Sequence, residues 1–205
     1  MKNFELTDFT FDVNKLRDAL EKVEARAEQQ SPLGFADGGA VCLTQIPGDP
    51  NSITGGNVIG LYWTRPDSTY KEVKREEPIN ESNYSEFVKE FEDTYFKEVY
   101  ETLLTKYKLG RVRLIWKKPR TTISWHRDPE RRLHIPIVTN PGCIAIIDKE
   151  ARHLEADGKV WITDNTKYHT ALNGGEEVRV HFLSLIHISE PTRRTPISYA
   201  VFCLK

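Results

Sequence analysis

Residues 111–138, RVRLIWKKPRTTISWHRDPERRLHIPIV, open the part of the chain that decides its fold. From Arg111 onward the residues follow a strand period, in short segments at 111–117, 121–125, 133–138, 143–147, 152–155, 159–162, 168–171 and 177–182. Turn signals separate them, among them Asn140-Pro141-Gly142, Asp157-Gly158 and Asn173-Gly174-Gly175. Gly and Asn supply the backbone conformations that tight reversals need, and Pro fixes their entry. Many short strands at this spacing predict a sandwich or barrel, because a βαβ sheet would interpose a helix between successive strands.

Upstream the period is helical. Asp12 is placed to cap a first helix, since Val13, Leu16, Leu20, Val23 and Ala27 recur at steps of three and four and leave one apolar stripe. Ser31-Pro32 ends it, the residue before proline being pushed out of the helical region. Residues 40–46 and 58–63 read as strands, and 64–80, polar and of both charge signs, as a long surface connection. Asn83 and Glu86 have the spacing of a capping box. Phe87, Phe91, Tyr95, Val99 and Leu103 then step by four along a second helix, which Gly110 closes. Both stripes read as packing faces. The expected organisation is one domain over 1–182, with a helical and β part over 1–110 and a β core over 111–182.

With 39% hydrophobic and 29% charged residues, the composition is that of a soluble globular domain. A net charge of -1 gives no electrostatic reason to expect a nucleic-acid or membrane partner. No apolar run reaches the roughly eighteen residues a membrane helix needs, and the opening MKNFELTDFTF does not have the shape of a signal peptide, so the cytoplasm is expected. Cys42, Cys143 and Cys203 have neither metal-ligand spacing nor an even count, which fits a reduced compartment.

The end of the chain reads differently. Residues 183–193, LSLIHISEPTR, match the conceptual translation of a transposon-type sequencing adapter, and 197–205, ISYAVFCLK, its far end after a short index. Residues 183–205 are therefore expected to be non-native, the alternative being a genuine C-terminal strand, and His187 and Cys203 are set aside as ligands. Without them 26 basic and 29 acidic residues remain, a charge of about -3.

Chemistry concentrates around His126-Arg127-Asp128. Side chains two apart on a strand share a face, so His126 and Asp128 can grip one ion together. His169, at the end of another strand-like segment, can supply a third ligand. Two imidazoles and a carboxylate on one side of a metal, with the other side open, form the facial triad of non-haem Fe(II) oxygenases. Positions 169 and 179 are symmetric about Gly174, so a hairpin turning there would set His169 opposite Arg179, with Cβ atoms about 5 Å apart. A ligand chelating the metal at one end could then meet a guanidinium at the other, whose planar fork suits a carboxylate. Arg132 and His134 share a face by the same period. His181 fits either a pocket lining or a satisfied core position, and His153 reads as a surface-strand residue. His-Arg-Asp is also kinase wording, but Leu133 stands where a kinase loop has Asn, and no Gly-rich phosphate loop precedes it.

The passages RVRLIWKKPRTTISWHRD, RRLHIPIVTNPGC and DGKVWITDNTKYHTALNGGEEVRVHF resemble the aspartyl/asparaginyl β-hydroxylase branch of the 2-oxoglutarate- and Fe(II)-dependent dioxygenases, over roughly a third of the chain from Arg111 to Phe182. The resemblance implies a double-stranded β-helix, a cupin-like jelly roll, with the two N-terminal helices covering one sheet. It implies Fe(II), 2-oxoglutarate and O2, with His126, Asp128 and His169 as iron ligands. Arg179 would pair with the far carboxylate of 2-oxoglutarate, and Arg132 and His134 would be further co-substrate contacts. The expected reaction hydroxylates an amino-acid side chain, Asp or Asn in a protein or a free amino acid such as proline, and yields succinate and CO2. Asp128 fits the amino-acid-hydroxylating members, the best-known animal member lacking that carboxylate. Lys117, Lys118, Arg120, Arg127 and Arg131 flank the motif and could receive an acidic substrate group or form a solvated face. The alternative is a non-catalytic cupin-like module that binds a metal or a small acid. Neither the substrate nor the oligomeric state is legible.

Overall fold

The computed structural model describes residues 2–27, 39–53, 60–75 and 79–187. In chain order its elements are β1 (Phe4–Thr10), α1 (Val13–Ala27), β2 (Gly39–Cys42), β3 (Thr44–Gln45), β4 (Tyr62–Thr64), β5 (Val73–Arg75), β6 (Glu86–Phe87) and α2 (Tyr95–Leu104). There follow β7 (Lys108–Lys117), β8 (Thr121–Thr122), β9 (His126–Arg127), β10 (Arg131–Val138), β11 (Cys143–Ile147), β12 (Glu150–Arg152), β13 (Lys159–Thr163), β14 (His169–Asn173) and β15 (Arg179–His187). One antiparallel sheet has the order β1-β13-β10-β15-β7-β2 and a second β12-β11-β14-β9-β4-β5, with β8 also on β14. This is a mainly β fold, the expected double-stranded β-helix.

The first sheet separates two environments. On β7, β10 and β15 one face carries Val112, Leu114, Trp116, Leu133, Ile135, Ile137, Val180 and Phe182, all buried with Leu16, Leu20 and Val23 of α1 and Phe96, Val99 and Leu103 of α2 in one core. The period of two sends the intervening residues, Arg113, Lys117, Arg132, His134, Arg179 and His181, to the face that looks toward the second sheet. The main hydrophobic core thus lies between the helices and one sheet, and the space between the sheets mixes these charged and polar side chains with apolar ones such as Ile115, Ala145, Ile147 and Leu154.

α1 forms as read, with Asp12 accepting from the backbone N–H groups of Asn14 and Lys15. Its expected end at Ser31-Pro32 lies outside the described residues, as do the first residues of the strand expected at 58–63. The second helix is shorter than its stripe. Asn83 closes a 3-10 turn capped by Asn80, Phe87 lies in β6 against β3, and Phe91 ends another 3-10 turn before α2 begins. Phe87 and Phe91 still pack in the same core. Spacing by four reports a buried face, and a strand followed by tight turns can present one too. Gly110 does not close the helix but lies inside β7, where a Cβ would meet the Glu81 carbonyl oxygen at 2.8 Å and Leu185 Cδ2 at 2.9 Å. The missing side chain lets the Glu81 turn sit on the strand.

Besides β6, two strands were not expected. β1 pairs with β13 far along the chain, Phe4 standing opposite Thr163. β5 pairs with β4 inside the segment read as a surface connection. At the other end β15 runs to His187 instead of stopping at Phe182, with Leu185 and Ile186 buried and Ile186 paired with both Arg131 and Leu109. No helix among the described residues is long and apolar enough to cross a membrane.

Candidate active site

His126 and His169 meet because β9 and β14 are neighbours, with the two residues directly opposite one another and ring centroids 4.2 Å apart. β9 ends at Arg127, and the Asp128 backbone N–H donates to the Asn165 carbonyl at 2.8 Å. That contact sets the carboxylate beside the imidazoles, with His126 Nε2 3.8 Å from Asp128 Oδ1. One ligand atom from each of His126, Asp128 and His169 falls within 4.8 Å of the others.

The donor chemistry suits a metal ion. His126 Nδ1 lies 2.6 Å from the Ser124 carbonyl and His169 Nδ1 3.0 Å from that of Lys167. A carbonyl only accepts, so each Nδ1 carries the proton and each Nε2 keeps its lone pair, the arrangement that orients ligating histidines. Burial pushes His169 down to about 4, against the pull of Asp128, so this ring is neutral at physiological pH. The Asn165 side-chain amide lies 2.8 Å from His169 Nε2 and receives Thr163 Oγ1 on its own oxygen.

Behind Asp128 runs a buried chain of charge. Arg132 Nε donates to Asp128 Oδ2 at 2.8 Å, and its Nη1 donates to Glu81, which also accepts from Arg111. Arg113 stands 3.6 Å from the same Glu81 carboxylate. Burial alone would raise Glu81, but the surrounding guanidiniums prevail and hold it at about 2. Burial opposes charge on Arg132 as well, and the carboxylates of Asp128 and Glu81 raise it above its ordinary value. Glu81 and Asn165 were invisible to sequence reasoning: each is one polar residue in a polar stretch, and nothing local marks either for burial.

Between the sheets lies a cavity of about 560 Å³, lined by His126, Asp128 and His169 and, from the first sheet, by Lys117, Arg132, His134, Arg179 and His181. Its size is that of small-molecule sites. Arg179 reaches it by a route other than the expected hairpin. β14 pairs with β11, β8 and β9 in one sheet and β15 with β10 and β7 in the other, so Asn173-Gly174-Gly175 is a crossing between sheets. His169 and Arg179 share the cavity across the sandwich and are not strand neighbours.

Several lining groups have polar atoms without a partner among the described residues. Arg179 Nε, His134 Nδ1 and both ring nitrogens of His181 are buried without a hydrogen bond. Burial lowers Arg179 to about 10 and His134 to about 3, and holds His181 well below its usual value. His181 is therefore a lining residue with unmet hydrogen-bonding capacity, which decides between the two readings open in the sequence. His153 is half-buried just past β12, its Nδ1 on the Cys143 carbonyl at 2.8 Å. Of the basic residues flanking the motif, Arg120 pairs with Glu176, Arg127 with Glu72 and Arg131 with Glu5, whereas Lys117 lines the cavity.

The described residues match known proteins in sequence and in shape. Among solved structures, IDO from Bacillus thuringiensis is 8% identical with a TM-score of 0.48, covering 92% of this chain and 91% of that one. The viral collagen prolyl hydroxylase vCPH of Paramecium bursaria Chlorella virus-1, solved as its 2OG complex, is 12% identical with a TM-score of 0.48, covering 92% and 97%. AviO1 from Streptomyces viridochromogenes is 11% identical with a TM-score of 0.46, covering 93% and 90%. No curated protein sequence matches. The sequence profile of Aspartyl/Asparaginyl beta-hydroxylase matches residues 80–187, more than half of the chain and all of the cavity's first-sheet wall. The chain therefore belongs to the aspartyl/asparaginyl β-hydroxylase family, oxidoreductases that use Fe(II), 2-oxoglutarate and O2.

Proposed function

We propose that His126, Asp128 and His169 hold the Fe(II), that Arg179 takes the far carboxylate of 2-oxoglutarate, and that the substrate is an amino-acid side chain, free or in a peptide. The observation carrying this is the pair of backbone carbonyls that hold the proton of both imidazoles on Nδ1, so that each Nε2 keeps its lone pair, with one ligand atom from each imidazole and from Asp128 within 4.8 Å of the others; at His169 that lone pair accepts from Asn165, a contact a metal would replace. When bound, the iron supplies the oxidative chemistry that couples decarboxylation of 2-oxoglutarate to hydroxylation of a C–H bond.

The protein's own groups position and shield. Arg132 aims Asp128 by holding Oδ2, which leaves Oδ1 on the side of the histidines. Its described hydrogen bonds go to protein carboxylates, so we assign it to orienting a ligand in place of contacting the co-substrate. His134, neutral and unpartnered at Nδ1, is available to donate to a co-substrate oxygen. Asp128 is a ligand and not a general base. No proton need leave the protein during the reaction, which suits a site in which burial holds the His134 and His169 imidazoles neutral.

The substrate class follows from charge. Arg113, Lys117, Arg132 and Arg179 line the cavity with the carboxylates of Glu81 and Asp128, and Arg111 backs Glu81. Fe(II) and the 2-oxoglutarate dianion cancel one another, so a surplus of positive charge remains to draw a carboxylate-bearing substrate, such as an Asp side chain or the α-carboxylate of a free amino acid. Anaerobic addition of Fe(II) and 2-oxoglutarate should give a weak visible charge-transfer band, and a screen of amino acids and peptides for succinate release identifies the substrate. A protein that binds iron without developing the band on 2-oxoglutarate addition would refute the assignment.

A further inference from the structure

Across the β7–β15 ladder Arg179 lies directly opposite Lys117. Directly opposed residues project from one face with Cβ atoms about 5 Å apart, and like charges so placed repel. Lys117 is 8% exposed and lines the cavity, and its ammonium has no hydrogen-bond or ion-pair partner among the described residues. The other flanking cations are placed differently: Arg120, Arg127 and Arg131 have carboxylates and Lys118 is exposed. Two cations side by side in a buried wall, neither with a carboxylate, are stable only when an anion joins them or one loses its charge.

We propose that Lys117 is the second cation of the co-substrate site: with Arg179 it clamps the far carboxylate of 2-oxoglutarate, and closing that clamp draws a proton from solvent onto the Lys117 amine. The inference rests on the assignment of that carboxylate to Arg179. The groups facing Lys117 are the Arg179 guanidinium on β15 and the Cys143 thiol on β11, while the Asn173 amide donates to the Lys117 backbone carbonyl. Burial, then Arg179, lowers Lys117 to about 8, so a large share of the free protein carries a neutral amine in mildly alkaline solution. A carboxylate between the two cations removes the repulsion and favours the ammonium. The balance is one amine, one proton from solvent and one bound dianion, with no bond to carbon made or broken. Arginine cannot play this part, since it keeps its proton throughout the working range.

Titration calorimetry of 2-oxoglutarate into the anaerobic Fe(II) protein at pH 8, in two buffers of different ionisation enthalpy, reads the proton directly. Wild type should take up about half a proton, and its apparent Kd should rise about tenfold per pH unit above pH 8.5. Lys117→Met should weaken binding about tenfold or more, abolish the uptake, and keep both iron stoichiometry and the charge-transfer band at saturating 2-oxoglutarate. Lys117→Arg should restore affinity without restoring the uptake, which a merely structural lysine would not do. Equal Kd and no proton uptake, in wild type and Lys117→Met alike, would overturn the proposal and leave the assignment of Arg179 standing. A wild-type protein that does not bind 2-oxoglutarate would sink both, and loss of iron in Lys117→Met and Lys117→Arg together would reassign the residue to the scaffold.

Discussion

Replacing Glu81 by Gln tests whether the buried charge chain behind Asp128 does what its geometry implies. Glu81 is 6% exposed and stands against Arg111, Arg113 and Arg132. Its carboxyl is held at about 2 against an ordinary 4.5. That depression is worth about 3 kcal/mol of stability at neutral pH, since each unit corresponds to ~1.4 kcal/mol. Removing one partner of a buried pair costs about 3–5 kcal/mol, because it strands the remaining charges, and the two figures agree. For a domain of this size a loss of that order lowers Tm by about 6–12 °C. Because the folded carboxyl titrates below the unfolded one, the contribution is complete above about pH 4.5 and is lost as pH falls toward 2. Thermal unfolding of wild type and variant from pH 7 to 3 should show the gap close on the acid side. The variant should also bind Fe(II) about 10–100-fold more weakly, because Arg132 no longer has a fixed seat from which to aim Asp128. A Tm change of less than about 2 °C at pH 7 would mean that the guanidiniums find other partners and that Glu81 does not organise this wall.

Other outcomes follow from single contacts. Arg179→Ala should raise the Kd for 2-oxoglutarate about 100-fold with Fe(II) binding unchanged in the same calorimetric series; equal loss of both would contradict the division of roles. Asp128→Ala should impair iron retention by about two orders of magnitude, and a variant that turns over at the parental rate would refute the triad. Gly158 has φ +81°, and a Cβ there would meet the Phe11 carbonyl oxygen at 1.9 Å, so Gly158→Ala should cost about 3 kcal/mol or more on chemical denaturation. A chain cut after Phe182 should lose the buried Leu185 and Ile186 and with them about 3–6 kcal/mol on chemical denaturation; an unchanged stability would refute their part in the ladder.

The periodic parts of the fold were legible because alternation and turn residues are local properties. The strands of the β core, the first helix and its Asp12 cap can all be read within a window of about a dozen residues. β1 was not, since its residues make sense as a strand only beside β13, far away in the chain. The hairpin expected at Gly174 failed for a related reason. A symmetric turn signal states that the chain reverses, and a jelly roll reverses both within a sheet and between sheets. The triad was legible as residue types, because metal ligation restricts them sharply. Glu81 and Asn165 were not, because a supporting carboxylate or amide is recognised only by what surrounds it.

The placement of the hydrophobic core explains how the fold tolerates so many buried charges. The main apolar core lies on the far face of the first sheet, where α1 and α2 cover β7, β10 and β15, with a smaller cluster of Phe4, Ile147 and Leu154 apart from it. The face toward the second sheet can then carry arginines, histidines and a lysine without opening the main core. The same alternation bears on the end of the chain. In LSLIH, Leu183 turns to the cavity while Leu185 and Ile186 are buried, a pattern that fills the ladder between β10 and β7 whatever its origin. Formation of β15 through His187 follows from this hydrophobic pattern, and the family match runs to the same residue. A native continuation differing from residues 183–187 would have to supply apolar side chains at 185 and 186, or the sheet would lose its seal beside Gly110 and the Glu81 turn.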